Sequence, residues 1–232
     1  MLRKDPFVTG EYYHIYNRGI DKRNIFKLER DYERFIMLLY ICNSTNEPPF
    51  RLDNLINHSR KSFNEIIILD RGKPLVLIGA WCLMTNHFHI LLKQETDGGI
   101  TKFMRKVGVG YSMFFNLKYQ RKGALFGGLF KSKLIGVDDN YLNYMFAYIH
   151  LNALDIEFPG WEKEINKSSI EMKNFLESYR YSSYQDYIDT KRTEGNILNK
   201  EAFPNYFEDT KSFKDFTENY FRYSDSNSSQ TL

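Results

Sequence analysis

The sequence predicts an α+β protein, on three observations. Four runs rich in aromatic and β-branched residues, at 11–18, 74–84, 87–94 and 129–137, read as strands. Apolar residues recur at helical spacing in the segments between and after them. A polar, mainly helical stretch then follows from residue 153.

Residues 11–18, Glu-Tyr-Tyr-His-Ile-Tyr-Asn-Arg, make the first strand, which ends at Gly19. Residues 29–43 read as a helix whose apolar positions Phe35 to Leu39, Ile41 and Cys42 run almost without a break, so burial on more than one side is expected. Residues 44–73 form an irregular insert that opens with Ser-Thr-Asn-Glu-Pro-Pro and holds one short helix around 53–68. The runs 74–84 and 87–94 are separated by the short Thr85-Asn86 link, which suits a hairpin. Gly98-Gly99 then breaks the chain, with Asp97 as the expected cap of a helix reaching about residue 119. Ile100, Phe103, Met104, Val107, Tyr111, Phe114 and Phe115 give that helix a core face. A Gly-rich basic loop, 121–128, leads to the last strand. Asp138-Asp139-Asn140 is expected to cap a helix over 139–152. The stretch 153–232 reads as a separate layer, helical around 161–190 and polar after it, with Ser224 to Leu232 expected to be disordered.

The chain has 232 residues, enough for one large domain with an extension, and 42% apolar with 26% charged residues is ordinary for a soluble globular protein. No apolar run is long enough to span a membrane, and Met1 to Asp5 lack a secretory apolar stretch, so a cytoplasmic protein is expected. The two cysteines, Cys42 and Cys82, form no CxxC, which argues against a disulfide scaffold or a zinc knuckle. The aromatic content, with 17 Tyr and 19 Phe, exceeds what a core alone needs and supplies stacking surface. Net charge is +3 but unevenly spread: residues 1–152 carry +8 and residues 153–232 carry −5. Between 98 and 137 lie eight basic residues and no acidic one: Lys102, Arg105, Lys106, Lys118, Arg121, Lys122, Lys131 and Lys133. Like charge repels itself in a folded segment, so a polyanion partner is the better reading than a merely solvated face.

Two constellations carry chemistry. Residues two apart on a strand point the same way, so His87 and His89 present two imidazoles together while Phe88 faces the core. Aligned imidazoles begin a metal site, although two polar residues on a solvated strand look the same in sequence. On the helix 139–152, Tyr148 and Asn152 share a face, with Tyr141 and Tyr144 on the same side and Leu142, Met145 and Ile149 opposite. A metal that polarises a phosphate lets a phenol attack it, and an amide four residues on can add a ligand. On helix evidence alone, a packed Tyr148 with Asn152 as a C-cap is the better reading. His14 and His150 read as structural.

The order of these pieces resembles the single-tyrosine HUH transposases, most closely their REP-associated tyrosine transposase branch. The matching runs are Tyr13-His14-Ile15-Tyr16-Asn17-Arg18-Gly19, Leu83-Met84-Thr85-Asn86-His87-Phe88-His89, Gly127-Gly128-Leu129-Phe130-Lys131-Ser132, Tyr148-Ile149-His150-Leu151-Asn152 and Tyr181-Ser182-Ser183-Tyr184-Gln185-Asp186-Tyr187, over roughly residues 8–190. The resemblance implies a ferredoxin-like antiparallel sheet with helices on one face, formed by residues 1–152, and a helical extension over 153–232. It implies that His87 and His89 bind Mg²⁺ or Mn²⁺, with Asn152 as third ligand and Tyr148 as nucleophile. It implies transesterification on single-stranded or hairpin DNA through a 5′-phosphotyrosine, by a monomer or homodimer. Arg18 and the eight basic residues would then hold the DNA. Three positions depart from the family pattern: Thr85 and Ala153 stand where proline is usual, and Leu129 where arginine is usual. The competing readings are a nucleic-acid-binding regulator that no longer cuts, and a phosphodiesterase that would not need Tyr148.

Overall fold

A computed structural model describes residues 6–46, 60–136, 139–161, 170–207 and 209–223. The expected Asp138 cap, residues 47–59 of the insert and the tail Ser224–Leu232 lie outside the described residues.

Four antiparallel strands form one sheet: β1 (Tyr12–Arg18), β2 (Val76–Leu83), β3 (His87–Gln94) and β4 (Lys131–Ile135), in the order β2-β3-β1-β4. The Thr85-Asn86 link does close a hairpin, with the Met84 N–H donating to the His87 carbonyl at 2.8 Å. Side chains alternate along the strands, and this divides the molecule into two cores. On one face, Ile15, Trp81, Leu83, Phe88, Ile90 and Leu92 meet helices α1 (Glu29–Ile41) and α3 (Gly99–Lys118). The short helix α2 (Phe63–Ile67) and the turn Thr193–Ile197 cover the outer side of α1, which explains its nearly unbroken apolar run.

On the other face, Ala80, Cys82 and Leu91 meet helix α4 (Asp139–Leu151) and the C-terminal segment. The remaining helices are α5 (Ile170–Ser178), α6 (Tyr184–Tyr187) and α7 (Thr210–Tyr223). Among the described residues no helix is long and apolar enough to cross a membrane.

Three expectations need correction. Helix α3 is not capped by Asp97: it starts at Gly99 behind Gly98, whose φ of 64° suits a glycine and which has no side chain to cap with. Gln94 Oε1 instead accepts the Ile100 N–H at 3.3 Å, so strand β3 satisfies a donor of the first turn. The helix expected around 161–190 is interrupted, because Tyr181 to Ser183 run along the edge of β2. There the Leu83 N–H donates to the Tyr181 carbonyl at 2.9 Å and the Ser183 N–H to the Trp81 carbonyl at 2.8 Å. An open edge is thereby covered. Lastly, the polar stretch after 190 contains α7, whose Phe213, Phe216, Thr217 and Tyr220 recur at helical spacing and turn inward.

Candidate active site

The alternation that buries Phe88 against Phe35, with ring centroids 4.9 Å apart, turns His87 and His89 to the opposite face. Their rings lie 5.0 Å apart, edge to face at 80°. Strand β1 supplies the neighbours: Tyr16 pairs with His89 and Arg18 with His87 across the ladder. A third imidazole joins them. His14 Nε2 lies 2.8 Å from His89 Nδ1, and the two rings stack at 5.0 Å. His87 Nδ1 is held in turn by Asn86 Oδ1 at 2.6 Å.

Burial keeps these rings neutral. Burial, then Lys133, pulls His14 down to about 4. Burial, then Arg18, pulls His87 down to about 4. Burial, then the neighbouring His14, His87 and Arg18, holds His89 well below the ordinary histidine value. Neutral imidazole is the form that ligates metals.

Helix α4 brings the phenol. Leu142, Met145, Phe146 and Ile149 are buried in the core that holds Ala80, Cys82 and Leu91 of the sheet. That rotation leaves Tyr148 half-buried over the histidines, its ring meeting His89 at 5.8 Å and His14 at 5.7 Å, edge-on in both cases. Tyr144 stacks on Tyr148 at 6.1 Å and Tyr141 on Tyr144 at 5.8 Å, so three rings line one side of the helix. Beyond α4 the chain tightens into a 3₁₀ turn, Asn152–Ile156. The Asn152 Nδ2 donates to the Tyr148 carbonyl at 2.6 Å, so only its Oδ1 remains for a ligand role.

No family model matches this chain, and no curated protein matches it. Among solved structures it is similar to a REP-associated tyrosine transposase bound to a REP hairpin. The TM-score is 0.47 and the identity 12%, over 90% of this chain and 99% of that one. Residue roles rest on the geometry above.

The donors on this face suit a cation in one respect. His89 Nε2 is buried and has no hydrogen-bond partner among the described residues. With His87 Nδ1 taken up by Asn86, the His87 Nε2 is likewise the nitrogen left to ligate. Among the described residues no group of three or more His, Cys, Asp or Glu side chains is arranged to hold a metal. A site here would therefore need further oxygen ligands beside the two imidazoles.

The basic residues divide. Arg18, Lys131 and Lys133 are exposed on the histidine face, where Lys133 also lies 4.9 Å from the centre of the Tyr141 ring. Lys102 and Arg105 are exposed on α3, behind the sheet, and Lys106 there donates to the Ser44 carbonyl at 3.2 Å. Lys118 pairs with the buried Asp31 carboxylate at 2.6 Å. Arg121 holds Asn116 Oδ1 at 2.9 Å, at the base of the loop 121–128, where Lys122 is exposed. That loop borders Arg18, whose carbonyl accepts the Gly127 N–H at 2.9 Å.

Sequence reading missed His14 as a member of the site. A signal existed: Tyr12, His14, Tyr16 and Arg18 alternate along β1, so His14 had to share a face with Arg18. His150 packs elsewhere, buried with its Nε2 2.7 Å from Ser183 Oγ, and helps hold the segment that edges β2.

Proposed function

We propose that this protein binds single-stranded DNA, including hairpin-bearing DNA, and breaks and rejoins it by transesterification through Tyr148. The carrying observation is that the Tyr148 ring packs against His89 and His14 within one chain, bringing phenol and imidazoles together on one face of the sheet. Arg18, Lys131 and Lys133 are exposed on that face and suit a phosphate backbone, while Tyr141 and Tyr144 extend an aromatic surface along α4.

In the reaction the Tyr148 phenol oxygen attacks phosphorus and releases its proton. The bond from phosphorus to the 3′ oxygen breaks, and that oxygen leaves as a 3′-hydroxyl once it gains a proton. The product is a 5′-phosphotyrosine, whose retained ester energy lets a second 3′-hydroxyl reseal the strand without ATP. His87 and His89, with Asn152 Oδ1, would hold a divalent ion, which when bound supplies polarisation of the phosphate. Two imidazoles without a carboxylate make a nitrogen-rich set for Mg²⁺, so Mn²⁺ is the better fit.

The test is incubation with hairpin-bearing single-stranded oligonucleotides and Mn²⁺, followed by denaturing electrophoresis. A covalent adduct present in the wild type and lost in Tyr148→Phe supports transfer. Cleavage that survives Tyr148→Phe would sink the nucleophile assignment and favour a phosphodiesterase. Binding without adduct or cleavage across many hairpins would point to the non-cutting regulator.

A further inference from the structure

We infer that His14 is a positioning residue, which accepts a hydrogen bond from His89 Nδ1 and so fixes the tautomer that turns His89 Nε2 into a ligand. This rests on the reading that His87 and His89 hold a divalent ion.

The argument is one of proton placement. The 2.8 Å contact between His14 Nε2 and His89 Nδ1 needs one proton between two nitrogens. If His14 supplies it, neutral His89 carries its own proton on Nε2, and that N–H is buried with no acceptor among the described residues. A buried N–H without a partner is costly, and no bound ion relieves it. If His89 supplies the proton, Nε2 holds a lone pair instead, and a cation satisfies it. The second arrangement gives both imidazoles the same form, because His87 Nδ1 sits 2.6 Å from Asn86 Oδ1, an acceptor only. Each ligand candidate then has an Nδ1 anchor from a different element: Asn86 from the hairpin turn and His14 from the adjacent strand. Such anchors set ring orientation and ligand basicity.

His14 is itself firmly held. It is 6% exposed, stacks on Tyr16 at 5.1 Å and on His89 at 5.0 Å, and meets the Tyr148 ring edge-on at 5.7 Å. It thus touches both the candidate ligand and the candidate nucleophile.

The test measures Mn²⁺ affinity of the full chain from the loss of the free-ion electron paramagnetic resonance signal, with His14→Phe, His14→Gln, His87→Ala and His89→Ala beside the wild type. His14→Phe keeps a ring but removes the acceptor, whereas a glutamine amide oxygen reaches about as far as Nε2. We expect His14→Phe to weaken Mn²⁺ binding about 10–100-fold and His14→Gln to restore most of it, with both variants melting alike without metal. Wild-type affinity in His14→Phe, or equal loss in both variants, overturns the role of His14 and leaves the His87–His89 site standing. Failure of the wild type to bind Mn²⁺, or binding untouched by His89→Ala, overturns the metal site and this inference with it. Imidazole ¹⁵N spectra of the metal-free wild type decide the matter even if no His14 variant folds. His89 protonated at Nδ1 supports the inference, and His89 protonated at Nε2 overturns it.

Discussion

Replacing Arg18, Lys131 and Lys133 together by alanine should remove the electrostatic half of DNA binding while leaving the fold in place. All three are exposed on the histidine face of the sheet, so their loss empties no core. Each cation that neutralises a phosphate of single-stranded DNA contributes about −0.7 to the slope of log K against log salt. Three such contacts therefore contribute about −2, which over a fourfold rise in salt is a loss of about 20-fold in affinity. Fluorescence anisotropy of a labelled oligonucleotide, read at several salt concentrations, gives the slope directly. The triple variant should show weaker binding and a slope shallower by about 2. Lys102→Ala with Arg105→Ala is the matched control, since those cations lie behind the sheet on α3. If the control flattens the slope and the triple variant does not, the DNA lies on the other face and the reasoning fails.

Two further outcomes concern stability. Burial raises the pKa of Asp31, and bonds from the Lys118 ammonium, the Tyr119 hydroxyl and the Lys27 and Leu28 N–H groups outweigh it and hold the carboxyl below its ordinary value. Asp31→Ala leaves these part-buried donors without their carboxylate and should cost about 1–3 kcal/mol in urea unfolding, with Lys118→Ala destabilising too yet leaving the salt slope of DNA binding unchanged. Burial pulls His150 from 6.5 down to about 3. Between those values the unfolded chain binds a proton that the folded chain does not, so this stability is whole above pH 6.5 and drains as pH falls toward 3. At about pH 5 the share is about 2 kcal/mol, and His150→Gln should lose less stability than wild type between neutral pH and that point.

The sheet and its principal helices were legible because their signals are local. Two-residue alternation in His87-Phe88-His89 and the helical spacing of α3 each state which side is buried. The meeting of Tyr148 with His89 was not legible from the residues, since it depends on how α4 crosses β2 and β3. The same limit hid His14, whose partner His89 lies 75 positions away. The acid-free run 98–137 looked like one surface, yet the chain passes from α3 to β4 within it, and the sheet separates the two ends. Lys118 shows the hazard most directly: charge patterning marks it for DNA, while Asp31, 87 positions away, claims it for the core.

The opposite charge of the two halves has a structural consequence. An extension carrying −5 could in principle neutralise the face that carries Arg18, Lys131 and Lys133. Four of its carboxylates are directed elsewhere. Glu194 and Asp186 pair with Arg180 and Arg192, Glu177 with Lys214 and Glu218 with Lys173, all within the extension. Arg180 also reaches Glu29 and Glu33 on α1, so the extension, whose helices pack with α4 on the other face, is tied to the far side of the sheet as well. Among the described residues no ion pair joins it to Arg18, Lys131 or Lys133. Its backbone meanwhile covers the β2 edge, while the β4 edge beside those lysines carries the outer end of the sheet. With the β2 edge covered and no such ion pair to Arg18, Lys131 or Lys133 among the described residues, these cations stay available on the face where Tyr148 meets the histidines, the face on which the proposed DNA would lie.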